Sequence, residues 1–459
     1  MSSIQHTHPV ALDATQLAER EPQLQQAVAR ALETARQQGA EMAEASAGLS
    51  TGLSVTCRMG ELESVEQHRE MGLGITVYLK GRKGNANTAD LRPEAIQQCV
   101  HKACDIARLT EADPCNGLPE AEWLAREARE LDLWHPLPLD MDRITEQTLE
   151  CEQAGLDAHP SICNSEGASF SSYQGISVLA NSLGFCASSR GTRHGMSCVL
   201  IARDDNGQMQ RDYWYDSHRR HDRLESPASI GQKAAQRAAG RLGARTLTTR
   251  QAPVLYTPEM ARGLIRQLIA ALSGGNQYRK TTFLLDSLGQ RILPPFIQLR
   301  EEPFLPTALG SAWFDQEGVA TRERAIIEDG TVAGYVLSSY SARKLGMAST
   351  GNAGGTHNLT LQPGTESQQA LMERMGTGLL LTETIGHGIN LITGDYSQGA
   401  AGYWVENGQI AYPVEEITIA GNLKDMLAGI QAVGNDLDCR SSTRCPSLLL
   451  APMTIAGQG

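Results

Sequence analysis

The dipeptide Asn407-Gly408 lies between two short aromatic and aliphatic runs, in the stretch GYWVENGQIAYP at 402–413. Both residues tolerate positive φ, so the pair suits a tight turn and commits its flanks to a β-hairpin. The chain then reaches Asn422, whose side chain can cap free backbone N–H groups. Leu423, Met426, Leu427, Ile430 and Val433 follow at helical spacing, and Gly434 stands where a C-terminal cap belongs. The spacing therefore predicts a helix over 422–433.

The same two periodicities organise the rest of the chain. A helical stripe (Leu17, Leu24, Val28, Ala31, Leu32, Ala35) runs from about Ala14 to Gln38, and Gly39 ends it. Leu53, Val55 and Cys57 alternate, as do Leu73, Ile75, Val77 and Leu79, so two strands with one buried face are expected. Pro93 opens a helix carrying Ile96, Val100, Ala103 and Ala107. Another helix is expected near 143–157, and a hairpin turns on Asp204-Asp205-Asn206-Gly207. Ser226-Pro227 reads as a cap followed by a helix start, and 258–273 forms a strongly amphipathic helix (Met260, Leu264, Leu268, Ile269, Leu272). These signals divide the chain into a flexible tail (1–12), an N-terminal α/β portion (13–110), a connecting segment (111–140), a central α+β portion (141–245) and a sheet-rich C-terminal domain (246–459). The expected class is α+β, with antiparallel sheets and packed helices.

Composition narrows the partners. Forty-five glycines point to many turns, and a formal net charge of −12 argues against a protein that wraps nucleic acid, which needs a basic face to neutralise phosphates. The N-terminus has neither a basic nor an apolar signal region, and no apolar run approaches the ~18 residues of a membrane span. The ten cysteines include no C-x-x-C pair. A cytoplasmic protein with reduced thiols is expected, with no nucleic acid and no membrane among its partners.

The run HGINLITGDYSQGAAGYWVENGQIAYPVEEITIAGNLKDM resembles the C-terminal signature of the TldD/PmbA family, in its PmbA/TldE branch. KGRKGNANTADL at 80–91, NSLGF at 181–185, FDQEGVAT at 314–321 and STGNAGG at 349–355 are similar to further blocks of that family, so the likeness covers most of the chain. The family has been called "modulator of DNA gyrase" and is associated with intracellular metallopeptidase activity; the acidic balance gives the gyrase label no support. The resemblance implies the non-catalytic subunit of a two-chain metallopeptidase that acts on unfolded peptides, such as peptide precursors and an unstructured antitoxin. A TldD-like protein would be the partner in a heterodimer and would carry the zinc, with no cofactor on this chain. A homodimer is one arrangement open to the chain alone.

The residues bear on that implication directly. The family's catalytic branch carries H-E-x-x-x-H on a helix, where two histidines on one face bind zinc and the glutamate can activate a metal-bound water. None of the eleven histidines here is followed by glutamate, and the helix at 258–273 has no histidine at all. The family's zinc ligands therefore have no matching histidines to be carried onto. Its third ligand is a cysteine near the C-terminus, and Cys445 falls in the equivalent region; without partner histidines it reads as a small buried hydrophobe. His387, between two glycines, could approach a peptide or simply bond backbone, and Asp395 and Tyr396 could line a substrate cavity or cap a turn. These four are the candidate cavity residues; no catalytic or metal-binding residue is assigned.

Other patterns carry less. Cys99, His101 and Cys104 have ligand-like spacing, but at ~100° per residue Cys99 and His101 point ~200° apart on a helix. His218-Arg-Arg-His221 could steer an acidic peptide or phosphate, though it reads as a solvated charged turn. Asp315 and Glu317, two apart, would share a strand face as an acid/base pair, and otherwise read as a strand-end turn. The G-x-S-x-G of 48–52 is followed by a strand where a nucleophile elbow needs a helix. Two rivals stay open: an autonomous hydrolase using His387, Cys445 and a carboxylate, and a pure binding or assembly protein.

Overall fold

The computed structural model describes residue 17 and residues 19–138 and 140–457. The expected tail at 1–12 and the first residues of the N-terminal helix lie outside the described residues. Six strands form one antiparallel sheet: β1 (Met42–Arg58), β2 (Glu61–Leu79), β3 (Arg82–Thr88), β4 (Ile162–Asn181), β5 (Cys186–Arg203) and β6 (Met209–His218), in the order β3-β2-β1-β4-β5-β6. Strands from both sides of the irregular segment at 111–140 thus share one sheet, because β1 pairs with β4 along its length.

Alternation gives this sheet two unlike faces. Ala43, Ala45, Ala47, Leu49, Leu53, Val55 and Cys57 of β1 are buried. Their side is covered by α1 (Glu21–Gln37) and α2 (Pro93–Leu109) at one end and by α3 (Met141–Leu156) and α4 (Pro227–Gly240) at the other. The intervening positions Glu44, Ser46, Gly48 and Ser50 lie on the opposite face and line open space. Burying the apolar face under helices satisfies the hydrophobic requirement and leaves the polar face free. The 204–207 turn joins β5 to β6, and Ser226 caps α4 by accepting from Ser229 N, as the residues predict.

The remaining strands are β7 (Arg250–Tyr256), β8 (Leu299–Glu301), β9 (Arg324–Glu328), β10 (Thr331–Val332), β11 (Leu359–Leu361), β12 (Gly378–Ile385), β13 (Asp395–Glu406), β14 (Gln409–Asn422), β15 (Ile430–Val433), β16 (Thr443–Arg444) and β17 (Leu448–Gly457). The helices are α5 (Pro258–Ala271), α6 (Gly274–Arg279), α7 (Ser339–Leu345), α8 (Gln368–Met375) and α9 (Leu423–Ala428). One sheet runs β14-β13-β12-β7-β17-β15, and β14 also pairs with β17, so five of its strands close into a ring. A small sheet, β10-β9-β8-β11-β16, packs beside it. Pairing is antiparallel except for β7 with β12 and β11 with β16. The stripe Ala261, Leu264, Ile265, Leu268 and Ala271 of α5 is buried in the shared core.

The hairpin at Asn407-Gly408 forms as expected: φ is 51° and 76° at the two residues, and Glu406 pairs with Gln409. The helix expected over 422–433 is shorter. Asn422 caps it by accepting from Lys424 N, but it ends at Ala428, and Ile430–Val433 is strand β15. Ile430, Ala432 and Val433 pair with Leu450, Leu449 and Leu448 of β17. The β-branched side chains of Ile430 and Val433 fit that position, and the strand partner outweighs a local helical pattern.

Candidate functional site

The polar face of the first sheet looks across a cavity of ≈ 990 Å³ toward loops of the C-terminal strands. Glu44, Ser46 and Thr76 come from the sheet, while the facing wall includes Trp313, Asp315, Gln316 and the segment 353–357. Asp315 fixes that wall. Its Oδ1 accepts from Glu317 N (2.9 Å) and Val319 N (3.0 Å), and its Oδ2 accepts from Ala353 N (2.8 Å). The turn reading of Asp315-Gln-Glu-Gly is therefore the structural one, and the turn also holds a cavity wall.

Burial, with Glu317 and Asp315 close by, pushes the Glu44 carboxyl up to about 7. Burial, opposed by the Ala353 N–H, lifts Asp315 to about 6. Raised carboxyl values favour the protonated form when folded. Their stabilisation is complete below the unfolded values and is lost as pH rises through about 6 and 7. Glu44→Gln should therefore raise the midpoint of chemical unfolding at pH 8 relative to the parent, by on the order of 2 kcal/mol, with little gain at pH 5. An equal effect at both pH values would show that Glu44 is not held neutral by its surroundings.

A second cluster sits where α5 begins, a helix without a histidine. Arg262, on the buried stripe three residues before Ile265, pairs with Asp438, and both are under a tenth exposed. Asp438 also takes Arg440 (Nε to Oδ1, 3.0 Å). Arg440 reaches Glu259 at 3.2 Å, donates to Tyr215 O at 3.0 Å and lies 4.1 Å from the centre of the Trp214 ring. Arg237 of α4 links Glu259 (3.5 Å) to Asp212 of β6 (3.2 Å). The network ties the first sheet to the C-terminal strands. Burial alone would raise the Asp438 carboxyl, but hydrogen bonds from Arg440 and the charges of Arg440 and Arg262 hold it below the usual range.

Cys445 is buried beside this network. Its backbone pairs with Asp438, and its Sγ points to Pro446 O at 3.5 Å. Burial pushes the thiol far above its ordinary range despite the nearby Arg262. A protonated thiol beside the Arg262 guanidinium, with only the carboxylates of Asp436 and Asp438 otherwise close by, does not fit a zinc ion, which takes thiolate and imidazole donors as well as carboxylate. Among the described residues, no group of three or more His, Cys, Asp and Glu side chains is placed to hold a metal.

The four candidate cavity residues are not brought together. His387 is exposed in the loop after β12, and Asp395 is exposed at the start of β13, accepting from Thr393 Oγ1 at 2.6 Å. Tyr396 points the other way into the core, beside Tyr256. None of the four lines either described cavity. The sequence reading of His218-Arg-Arg-His221 as a solvated turn also needs correction: Arg219 crosses to the C-terminal portion and donates to Ala308 O and Leu309 O, each at 2.9 Å. A charge on the buried stripe of α5 was the available signal for the network, since a buried arginine requires a partner.

Three family models match the chain. They are the PmbA/TldA metallopeptidase domain 1 over 43–107, central domain over 134–242 and C-terminal domain over 249–457. The metalloprotease PmbA of Escherichia coli O157:H7 is 49% identical over 95% of this chain and 96% of its own length. This chain belongs to the PmbA/TldD metallopeptidase family. The PmbA homolog of Haemophilus influenzae is 45% identical over 96% of this chain and 98% of its own. Among solved structures, a modulator of DNA gyrase from Bacteroides thetaiotaomicron superposes with a TM-score of 0.89 at 27% identity, over 95% of this chain and 99% of that one. TldE from Thermococcus kodakarensis, at 21% identity and a TM-score of 0.82 over 94% of this chain and 100% of that one, shares the fold. No described helix is long and apolar enough to cross a membrane.

Proposed function

We propose that this chain is the zinc-free subunit of a two-chain cytoplasmic peptidase acting on unfolded peptides, with the metal carried by a TldD-like partner. The observation that supports this reading is the residue set at α5: the helix carries no histidine, and Arg262, Asp438, Arg440 and Glu259 form an ion-pair network there. Zinc on the partner supplies metal-assisted hydrolysis of the peptide carbonyl. This chain contributes surface: the polar face of its first sheet and the wall fixed by Asp315 enclose and orient the substrate. Alone, it forms a homodimer or remains unpaired, and its acidic balance does not suit nucleic acid.

The test is zinc content and hydrolysis of an unstructured peptide, for this chain alone, for a TldD-like protein alone and for the mixture. The expected result is negligible zinc and no cleavage by this chain, with cleavage by the mixture at least about tenfold above either component. Stoichiometric zinc and cleavage by this chain alone would overturn the proposal and return attention to His387, Cys445 and a carboxylate. A mixture no more active than the TldD-like protein would favour a binding or assembly role.

A further inference from the structure

A second cavity, of ≈ 580 Å³, continues along the polar face of the first sheet and shares Ser177, Ser189, Arg190, Gly191 and Arg219 with the larger one. Its floor is built from Gly48, Ser50, Gly72, Gly175, Ser177 and Gly191. Such residues leave a shallow trough where side chains would otherwise stand. A Cβ on Gly191 would lie 2.7 Å from Nη1 of Arg219, so glycine there lets the guanidinium lie against the strand.

The charge of this trough is opposite to that of the chain. Among its lining residues, Arg193 and Arg219 lie on this face against one carboxylate, Glu70, a balance of 2 − 1 = +1 in a chain of net charge −12, and Arg190 borders it from the strand edge. Arg219 is held by carbonyls, with Thr192 O at 3.2 Å in addition to Ala308 O and Leu309 O. Arg193 donates to Ser217 Oγ at 2.8 Å, and Arg190 lies 5.9 Å from the centre of the Trp134 ring. None of these contacts supplies a negative charge. Burial, with Arg193 nearby, lowers the Arg219 guanidinium to about 10. A desolvated cation without a counter-ion is costly, so the arrangement favours a ligand that brings one.

We infer that this trough binds the acidic part of the substrate, an extended peptide segment carrying Asp or Glu side chains, against Arg193 and Arg219. The inference rests on the peptide-handling role proposed above and adds a substrate class to it. Guanidinium groups suit carboxylates because two parallel N–H donors match two oxygens. The small-residue floor admits an extended main chain, and the trough opens into the larger cavity.

The test uses the full chain alone and reads binding, so it is independent of zinc and of cleavage by a mixture. Two labelled unstructured peptides, identical except for Asp and Glu in one and Asn and Gln in the other, are titrated by fluorescence anisotropy. The acidic peptide should bind about tenfold more tightly at low salt, with the preference shrinking as salt rises. In the variant Arg193→Gln, whose side chain is exposed, the preference should fall below about twofold while the neutral peptide is unaffected. Equal binding of both peptides, binding of neither, or a preference retained by the variant would overturn the inference. So would displacement of the acidic peptide by single-stranded DNA of equal charge as effective as by unlabelled peptide, since that would mark an unselective anion surface.

Discussion

Asp438→Ala should lower the folding stability of this protein by about 3–5 kcal/mol, the cost typical of leaving buried charges without their partner. Two cations are orphaned at once. Arg262 loses its carboxylate, and Arg440 loses the nearer of its two, leaving it with Glu259 at 3.2 Å. Among the described residues, Tyr215 Oη, at 3.3 Å, is the acceptor that remains to Arg262. Neither guanidinium can shed its charge as an exposed amine or carboxyl could, because arginine stays protonated at any pH the protein survives. The appropriate control is Asp105→Ala, which breaks an ion pair with Arg108 in which both side chains are more than half exposed. That change should cost no more than about 0.5 kcal/mol, because water replaces the partner. Midpoints of chemical unfolding read the two side by side. If Asp438→Ala were as mild as Asp105→Ala, the junction would be solvated and the cluster at α5 would not be structural. Removing both charges, as in Arg262→Met with Asp438→Asn, should recover part of the loss, since the unpaired cation at 262 goes with the carboxylate.

The Arg262–Asp438 pair also shows where the sequence stops informing. Its members are 176 residues apart. A charged residue on an apolar helical stripe announces that a partner exists without naming it. Local patterns fare better when the deciding contacts are local. The Asn407-Gly408 turn is legible because its requirement, positive φ at two adjacent residues, is written in those residues themselves. The alternation of Leu53, Val55 and Cys57 is legible because one strand face alone is buried. The 422–433 helix is half legible: Asn422 and Leu423 to Leu427 fix its start, whereas Ile430 and Val433 satisfy a strand as well as a helix, and β17 decides between them. The candidate site was the least accessible. Glycines around His387 and the Asp395-Tyr396 pair suggested a cavity, yet strand alternation sends Tyr396 into the core and leaves Asp395 outside. The cavity walls come instead from serines and glycines of the first sheet and from an aspartate turn, residue types whose usual role is to shape backbone.

The wall segment at 353–357 depends on one more buried charge. Glu301 of β8 is 2% exposed. Its Oε1 accepts from Asn352 Nδ2 and from His357 N, both at 2.7 Å, and its Oε2 pairs with Arg324 at 2.9 Å. Arg324 in turn donates to Asn352 Oδ1 and to Tyr335 O, each at 2.8 Å. Replacing Glu301 with Ala leaves a buried guanidinium uncompensated and removes two bonds that hold the cavity segment, so a loss of about 3–5 kcal/mol is expected at neutral pH. Burial by itself would raise the Glu301 carboxyl, but His357 and Arg324 keep it below the usual carboxylate range. A depressed value means that its stabilisation is complete above the unfolded value and is lost as pH falls through the folded one. The gap in unfolding midpoint between parent and Glu301→Ala should therefore be widest near pH 7 and should narrow by about pH 4. A gap that stayed constant over that range would mean the carboxylate's charge is not what holds the segment. A gap near zero throughout would mean that Asp315, through Ala353, suffices to keep the wall in place.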